Sequence, residues 1–134
     1  MINQILISLD MSDSIDIDLN IMKKNQTLSE LTSKTILELD KIYSTFHPNA
    51  IVVQGDTTTD FAPAISAFYQ KIPIFHVEAG LRIHNIYSPF PEEFNRIAID
   101  DISILFFAPT KLAASNLIKE GKNPSKIFIT GNIF

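Results

Sequence analysis

The sequence predicts an α/β domain, a parallel sheet with helices on both of its faces. Three observations carry that expectation. Short apolar runs, Ile51-Val52-Val53 and Ile74-Phe75-His76-Val77, are rich in β-branched and aromatic residues and end at Gly55-Asp56 and Glu78-Ala79-Gly80, as buried parallel strands do. Two further runs, 104–108 and 126–130, follow at regular intervals. The stretches between the runs are long enough for helices, and strand–helix alternation of this kind argues for right-handed βαβ crossovers.

Ile2, Ile5, Leu6 and Leu9 open the chain with the i, i+3, i+4, i+7 spacing of an amphipathic helix. Residues 10–26, with Ile15-Asp16-Ile17-Asp18, read as an extended or irregular connection. Thr27 or Ser29 then caps a long helix with an inner face of Leu28, Leu31, Ile36, Leu39, Tyr43 and Phe46, and Pro48-Asn49 ends it. Residues 50–54 form the first strand. Thr57 or Thr58 caps the next helix, which runs to about Gln70. Ile74 to Val77 is the second strand, and residues 81–90 form a loop. Pro91 suits a first helical position, with Glu92 and Glu93 in a first turn that favours negative charge. The third strand leads to Pro109-Thr110, which opens a helix closed by Gly121. Both ends read as cut. A doubly wound domain opens on a strand rather than a helix, and the chain stops four residues after Thr130 without a helix to cover the last strand.

The length of 134 residues suits one domain with a real core. A net charge of −4 gives no global reason to bind nucleic acid or anionic lipid. With no cysteine, disulfides and thiolate metal sites are excluded, which fits a reducing cytoplasm. No apolar run reaches the roughly 20 residues of a membrane span, and the Met1-Ile2-Asn3-Gln4 start lacks a basic leader. The expected setting is cytoplasmic.

Candidate chemistry concentrates where the strands end. Asp56 and Glu78 each follow a strand, and Glu92 opens a helix. Ligands bind at that carboxyl edge of an open parallel sheet. Asp56 reads equally as a turn and capping residue or as a ligand carboxylate. The Thr57, Thr58 and Thr59 hydroxyls and free helical N–H groups beside it suit a polar or anionic ligand. Glu78, flanked by small Ala79 and Gly80, favours a functional role, because a carboxylate at that depth is costly without a partner. His76 reads as a core histidine, or one bracing a functional group from behind, and His47 as a surface residue. Glu92 and Arg96 are four apart, so an ordinary helix-face ion pair is the favoured reading for them. Arg82 and Arg96 alternatively bind phosphate or orient the carboxylates. Asp100-Asp101 is most simply a helix-end pair, and no His–carboxylate spacing supports a metal site.

Taken together, these motifs resemble a known family. Val52-Val53-Gln54-Gly55-Asp56-Thr57-Thr58-Thr59, His76-Val77-Glu78-Ala79-Gly80-Leu81-Arg82 and Tyr87-Ser88-Pro89-Phe90-Pro91-Glu92-Glu93-Phe94-Asn95-Arg96 look like the signature of the non-hydrolysing UDP-N-acetylglucosamine 2-epimerases. Phe107-Ala108-Pro109-Thr110 and Ile129-Thr130-Gly131-Asn132 continue the likeness, and Asp18-Leu19-Asn20-Ile21-Met22 and Gln26-Thr27-Leu28 extend it upstream. The likeness covers nearly the whole chain in order.

The resemblance implies part of the N-terminal Rossmann-like domain of a two-domain, GT-B-like fold, with the first strand and the C-terminal domain absent. It implies interconversion of UDP-N-acetylglucosamine and UDP-N-acetylmannosamine for surface polysaccharide precursors. UDP elimination across C1–C2 and re-addition would accomplish it, without metal or redox cofactor, in a homodimer. Carried over by motif, Asp56, Glu78 and Glu92 match the catalytic carboxylates, Arg96 an arginine of the same site, and Arg82, Thr57 and Thr58 are expected on the substrate. The family's opening Gly-Thr-Arg-Pro-Glu loop and its catalytic histidine have no counterpart here, and Asp60 replaces a fourth threonine. Asn25 stands where family members often carry a more basic or longer side chain. The isolated chain is therefore expected to be inactive. The rival readings are a non-catalytic remnant or interaction module, and part of a hydrolysing relative.

Overall fold

A computed structural model describes Gln4, Ser8, Leu9 and residues 15–132. Of the apolar stripe expected in the opening helix only Leu9 is described, and Ile2, Ile5 and Leu6 lie outside the described residues. Helix α1 (Leu28–Phe46) starts at Thr27, whose Oγ1 accepts the Glu30 N–H at 3.1 Å while the Glu30 carboxylate accepts the Thr27 N–H at 2.9 Å. This reciprocal capping satisfies two donors that a helix start leaves open. The helix ends at His47 in a left-handed conformation, φ 50°. Strand β1 (Ile51–Gln54) leads into α2 (Thr58–Tyr69), capped at Thr57. Then come β2 (Ile74–Val77), α3 (Glu92–Ile102), β3 (Leu105–Ala108), α4 (Lys111–Lys119), a short 3-10 turn (Pro124–Lys126) and β4 (Ile127–Ile129). From Thr27 onward the expected strands and helices are all present, with bounds within one or two residues.

The four strands are parallel and lie in the order β1-β2-β3-β4. Successive right-handed crossovers that always step the same way must leave every connecting helix on one face. The core follows that rule. Register pairs Ile51 with Ile74, Val53 with His76 and His76 with Phe106, so these side chains share a face. Against it pack Tyr43 of α1, Ala64 and Ala67 of α2, and Ile99 of α3. Further along the same face, Phe106 and Ala108 meet Ala113, Ala114 and Leu117 of α4.

The expected parallel α/β sheet is present, and its described helices lie on one face. Among the described residues no helix packs on the opposite face, where Val52 is 64% and Phe128 47% exposed. Phe75, Val77, Leu105 and Phe107 on that side are only half-buried, and Phe107 stacks on Phe128 with centroids 5.8 Å apart. The inner face of α1 also differs from expectation. Leu31 and Tyr43 are buried, but Leu28 and Phe46 are exposed and Thr35 is buried instead. The cause is that α1 packs on α2 rather than flat on the sheet, with Ser66 donating to the Ile36 carbonyl and Gln70 to that of Asp40.

Candidate active site

The carboxyl ends of β1 and β2 and the start of α3 bring the predicted acidic residues to one edge. Gly55 makes the turn after β1 with φ +95°, a conformation glycine adopts without steric cost. Its amide donates to the Val77 carbonyl at 3.0 Å, which ties the β1 turn to β2. Asp56 follows, partly exposed, with its Oδ2 3.2 Å from Arg96 Nη2. Its backbone carbonyl accepts from the Asn95 side-chain amide at 2.8 Å. Two residues of α3 therefore grip Asp56, one at the carboxylate and one at the main chain.

Glu78 directly continues β2 and sits at φ +66°, in the left-handed region where a side chain other than Gly, Asn or Asp is uncommon. Its Oε1 accepts from Gln54 Nε2 at 3.3 Å. The carboxylate leans over Gly55, where a Cβ would stand 3.9 Å from its Oε2. A Cβ at 55 would make only ordinary contact there, so it is the positive φ of the turn that calls for glycine. A residue such as Glu78, held in so sparsely populated a conformation, is typical of functional positions.

Electrostatics link these groups. Burial raises the Asp56 pKa above the ordinary aspartate value; Arg96 opposes the rise, and the negative charges of Glu92, Asp60 and Glu78 add to it. All three of those carboxylates therefore lie within electrostatic reach of Asp56. Glu92 is the first residue of α3 and half-buried. Its side chain does not take Arg96, which meets Glu92 only at the backbone carbonyl, 3.4 Å away. The expected Glu92–Arg96 helix-face pair is thus replaced by a tertiary Arg96–Asp56 pair.

Other predicted residues stand elsewhere. Arg82 is not available to a substrate: its guanidinium is 1% exposed and lies 2.9 Å from Asp100 and 2.7 Å from Glu120. Burial works against its charge, but Glu120 and Asp100 more than offset that and hold it more firmly protonated than usual. Residue chemistry and resemblance both pointed Arg82 toward a ligand, and the acids that claim it, Asp100 and Glu120, are too distant in sequence to be foreseen from spacing. Thr57 caps α2 with its hydroxyl shared between Thr59 and Asp60, and Thr58 is buried in the first turn. Asp60, in the place of a fourth threonine, accepts the Thr57 N–H at 3.1 Å.

Sequence reasoning missed two acids on α3. Asp100, expected as a helix-end residue, is fully buried beneath the site and bonded to His76, Arg82 and the Gly80 amide. Glu93 is also fully buried and accepts from the amides of Ile83 and His84 at 2.6 and 3.0 Å, which anchors the loop after β2. The readable signal was spacing. Glu93, Arg96 and Asp100 recur at i, i+3 and i+7, a buried helical stripe, whereas Phe94 beside them is exposed. Among the described residues no group of three or more His, Asp or Glu is arranged to hold a metal ion.

Comparison with known proteins gives this edge a context. A family model described as UDP-N-acetylglucosamine 2-epimerase matches residues 1–134. The UDP-N-acetylglucosamine 2-epimerase of Bacillus subtilis is 53% identical over 117 residues, covering 87% of this chain and 31% of that protein. The Campylobacter jejuni enzyme of the same name is 51% identical over 132 residues, covering 98% and 34%. The chain thus spans about a third of the length of the relatives it matches. The crystal structure of UDP-GlcNAc 2-epimerase from Neisseria meningitidis bound to UDP-GlcNAc superposes with a TM-score of 0.91 at 46% identity, covering 98% of this chain and 36% of that one. The Methanocaldococcus jannaschii enzyme in complex with UDP-GlcNAc and UDP gives 0.87 at 41%, covering 95% and 34%. Shared topology, strand-end carboxylates and a family match along the whole chain agree: this chain belongs to the UDP-N-acetylglucosamine 2-epimerase family.

Proposed function

We propose that this segment supplies the acid–base side of a site that interconverts UDP-N-acetylglucosamine and UDP-N-acetylmannosamine. The observation that carries the reading is the gathering of Asp56, Glu78 and Glu92 at one sheet edge, with Arg96 on Asp56. Relatives crystallised with UDP-GlcNAc or UDP support a UDP-sugar as ligand.

The chemistry needs such a set. The C2 proton of the sugar is not beside a carbonyl, so removing it alone would leave an unstabilised carbanion. If a carboxylate takes that proton while the C1–O bond to UDP breaks, the C–H electron pair becomes the C1=C2 bond and UDP leaves with the C1–O pair. Re-addition of UDP at C1, with a proton delivered to the other face of C2, inverts that centre. Carboxylates able to hold and return a proton near C2 suit both directions. A raised Asp56 pKa suits a group that must carry a proton for part of the cycle.

Asp56, Glu78 and Glu92 take these proton-handling roles, and Arg96 holds Asp56 in place. The chain corresponds to part of an N-terminal Rossmann-like domain, and the nucleotide is held mainly by polypeptide beyond it. The complete protein works as a cytoplasmic homodimer, feeding surface polysaccharide synthesis.

The test joins this segment to the remainder of a relative-length polypeptide and follows UDP-N-acetylglucosamine in D2O. The expected result is UDP-N-acetylmannosamine carrying deuterium at C2. Glu78→Gln should then lower turnover by about 10²–10⁴-fold while UDP binding holds, because glutamine keeps the shape but takes no proton. Loss of UDP binding together with turnover would make Glu78 a structural residue, and product without deuterium would sink the elimination chemistry. The isolated chain should show no turnover, since orientation between two halves of a cleft supplies much of the rate.

A further inference from the structure

His76 is fully buried on the helix-covered face, between Val53 of β1 and Phe106 of β3. Its Nδ1 lies 2.6 Å from Asp100 Oδ1 and its Nε2 lies 2.7 Å from the Gly55 carbonyl oxygen. A carbonyl oxygen only accepts, and an ionised carboxylate only accepts. The second oxygen of Asp100, Oδ2, faces the Arg82 guanidinium at 2.9 Å and takes the Gly80 N–H at 3.0 Å, so the carboxylate serves as an acceptor throughout. A neutral imidazole has one donor and one acceptor nitrogen, so it would set a lone pair against one of these oxygens. Only a ring with two N–H groups satisfies both.

The ionic chain runs from buried His76 to buried Asp100 on α3 and buried Arg82 in the loop after β2, and reaches the surface at Glu120 after α4. The other neighbours on the sheet, Val53 and Phe106, are apolar and carry no competing charge.

We infer that His76 is a buried imidazolium acting as a positioning residue, with one N–H fixed on the Gly55 carbonyl and the other on Asp100. This rests on the reading of Asp56 and Glu78 as the reacting carboxylates. The ring clamps the peptide joining Gly55 to Asp56 from below. Asp100, through the Gly80 amide, clamps the turn that carries Glu78 two residues earlier. One cation–anion pair therefore sets the spacing of the two carboxylates without touching substrate. Asn95, on the Asp56 carbonyl, completes the clamp from α3.

The direct test is nitrogen NMR of the folded chain with ¹⁵N-labelled histidine at neutral pH. Exposed His47 and His84 serve as internal references. The expected result is a proton on each ring nitrogen of His76; a His76 nitrogen without a proton overturns the inference. Asp100→Asn should strip the second proton from the ring, and a ring that keeps both protons would overturn Asp100 as its cause. In the relative-length polypeptide, His76→Asn should lower kcat by about 10²-fold, the scale of a small misplacement of reacting groups, with KM little changed. Full turnover in His76→Asn beside a doubly protonated wild-type ring would overturn the positioning role alone. Absence of epimerisation in the wild-type polypeptide would instead sink the functional reading, and the NMR result would still decide the state of the ring.

Discussion

The two faces of the sheet are made from the same strands and differ in almost everything else. On the covered face, Val53, Ile74 and Ile99 are nearly or wholly buried, and alanines at 64, 67, 108 and 113 let helices come close. On the other, Val52 and Phe128 stand largely exposed. Strand residues alternate between the two, so neighbours in sequence such as Val52 and Val53 live in opposite environments. Hydrophobicity alone does not tell them apart. The covered face also holds the ionic machinery beneath the site: His76, Asp100, Arg82 and Glu93. Stability and site geometry are thus concentrated on one side of a four-strand sheet.

That contrast is open to direct attack. The largest effect is expected from Gly80→Ala. Gly80 has φ +86°, and a Cβ there would meet the Ala113 carbonyl oxygen at 2.3 Å and its carbon at 2.8 Å. Backbone must move against backbone, so the loss should exceed about 4 kcal/mol, in the range reserved for severe core disruption. Retention of a wild-type thermal transition would show that α4 is not tightly seated. Next comes Ile99→Ala, which empties a fully buried site on α3 and should cost about 2–5 kcal/mol in chemical denaturation. Val52→Thr, one strand position from Val53 and 64% exposed, should stay within about 0.5 kcal/mol of wild type. A loss at Val52 equal to that at Ile99 would break the two-face picture.

A further modest effect concerns Asp56 and has a sign set by pH. Its pKa is higher in the folded chain than the ordinary value, mainly through burial. The folded state therefore favours the protonated acid. That contribution is full below the unfolded value of about 4 and is lost as pH rises through the folded value. Asp56→Asn, uncharged throughout, should raise Tm at pH 7 by no more than about 4 °C, and the gain should vanish below about pH 4. A gain that persisted in acid would point to packing rather than charge.

The elements were legible because their signals are local. Apolar runs stop at glycine or acid, and Thr27, Thr57 and Thr110 each cap a helix, as short-range hydrogen bonding dictates. Asp56, Glu78 and Glu92 could be gathered on one edge because strand ends in a parallel sheet share a side. What escaped depended on partners distant in sequence. Nothing near Asp100 announces that His76, 24 residues earlier, and Arg82 will close on it. Likewise, Arg96 leaves its helix neighbour for Asp56, 40 residues back. The placement of the three crossover helices was also within reach: right-handed crossovers that add strands in a single direction put them on one face, once strand order is known.

The left-handed backbone at Glu78 sets two selection pressures against each other. At φ +66°, glycine would sit with less steric strain, a relief of about 1–2 kcal/mol from the Cβ clash of that region, partly offset by its greater freedom when unfolded. A library of variants screened only for thermal stability would therefore drift toward glycine at this position, and every such winner would have discarded its carboxylate. On the proposed acid–base reading, position 78 is where such a screen would trade turnover for stability.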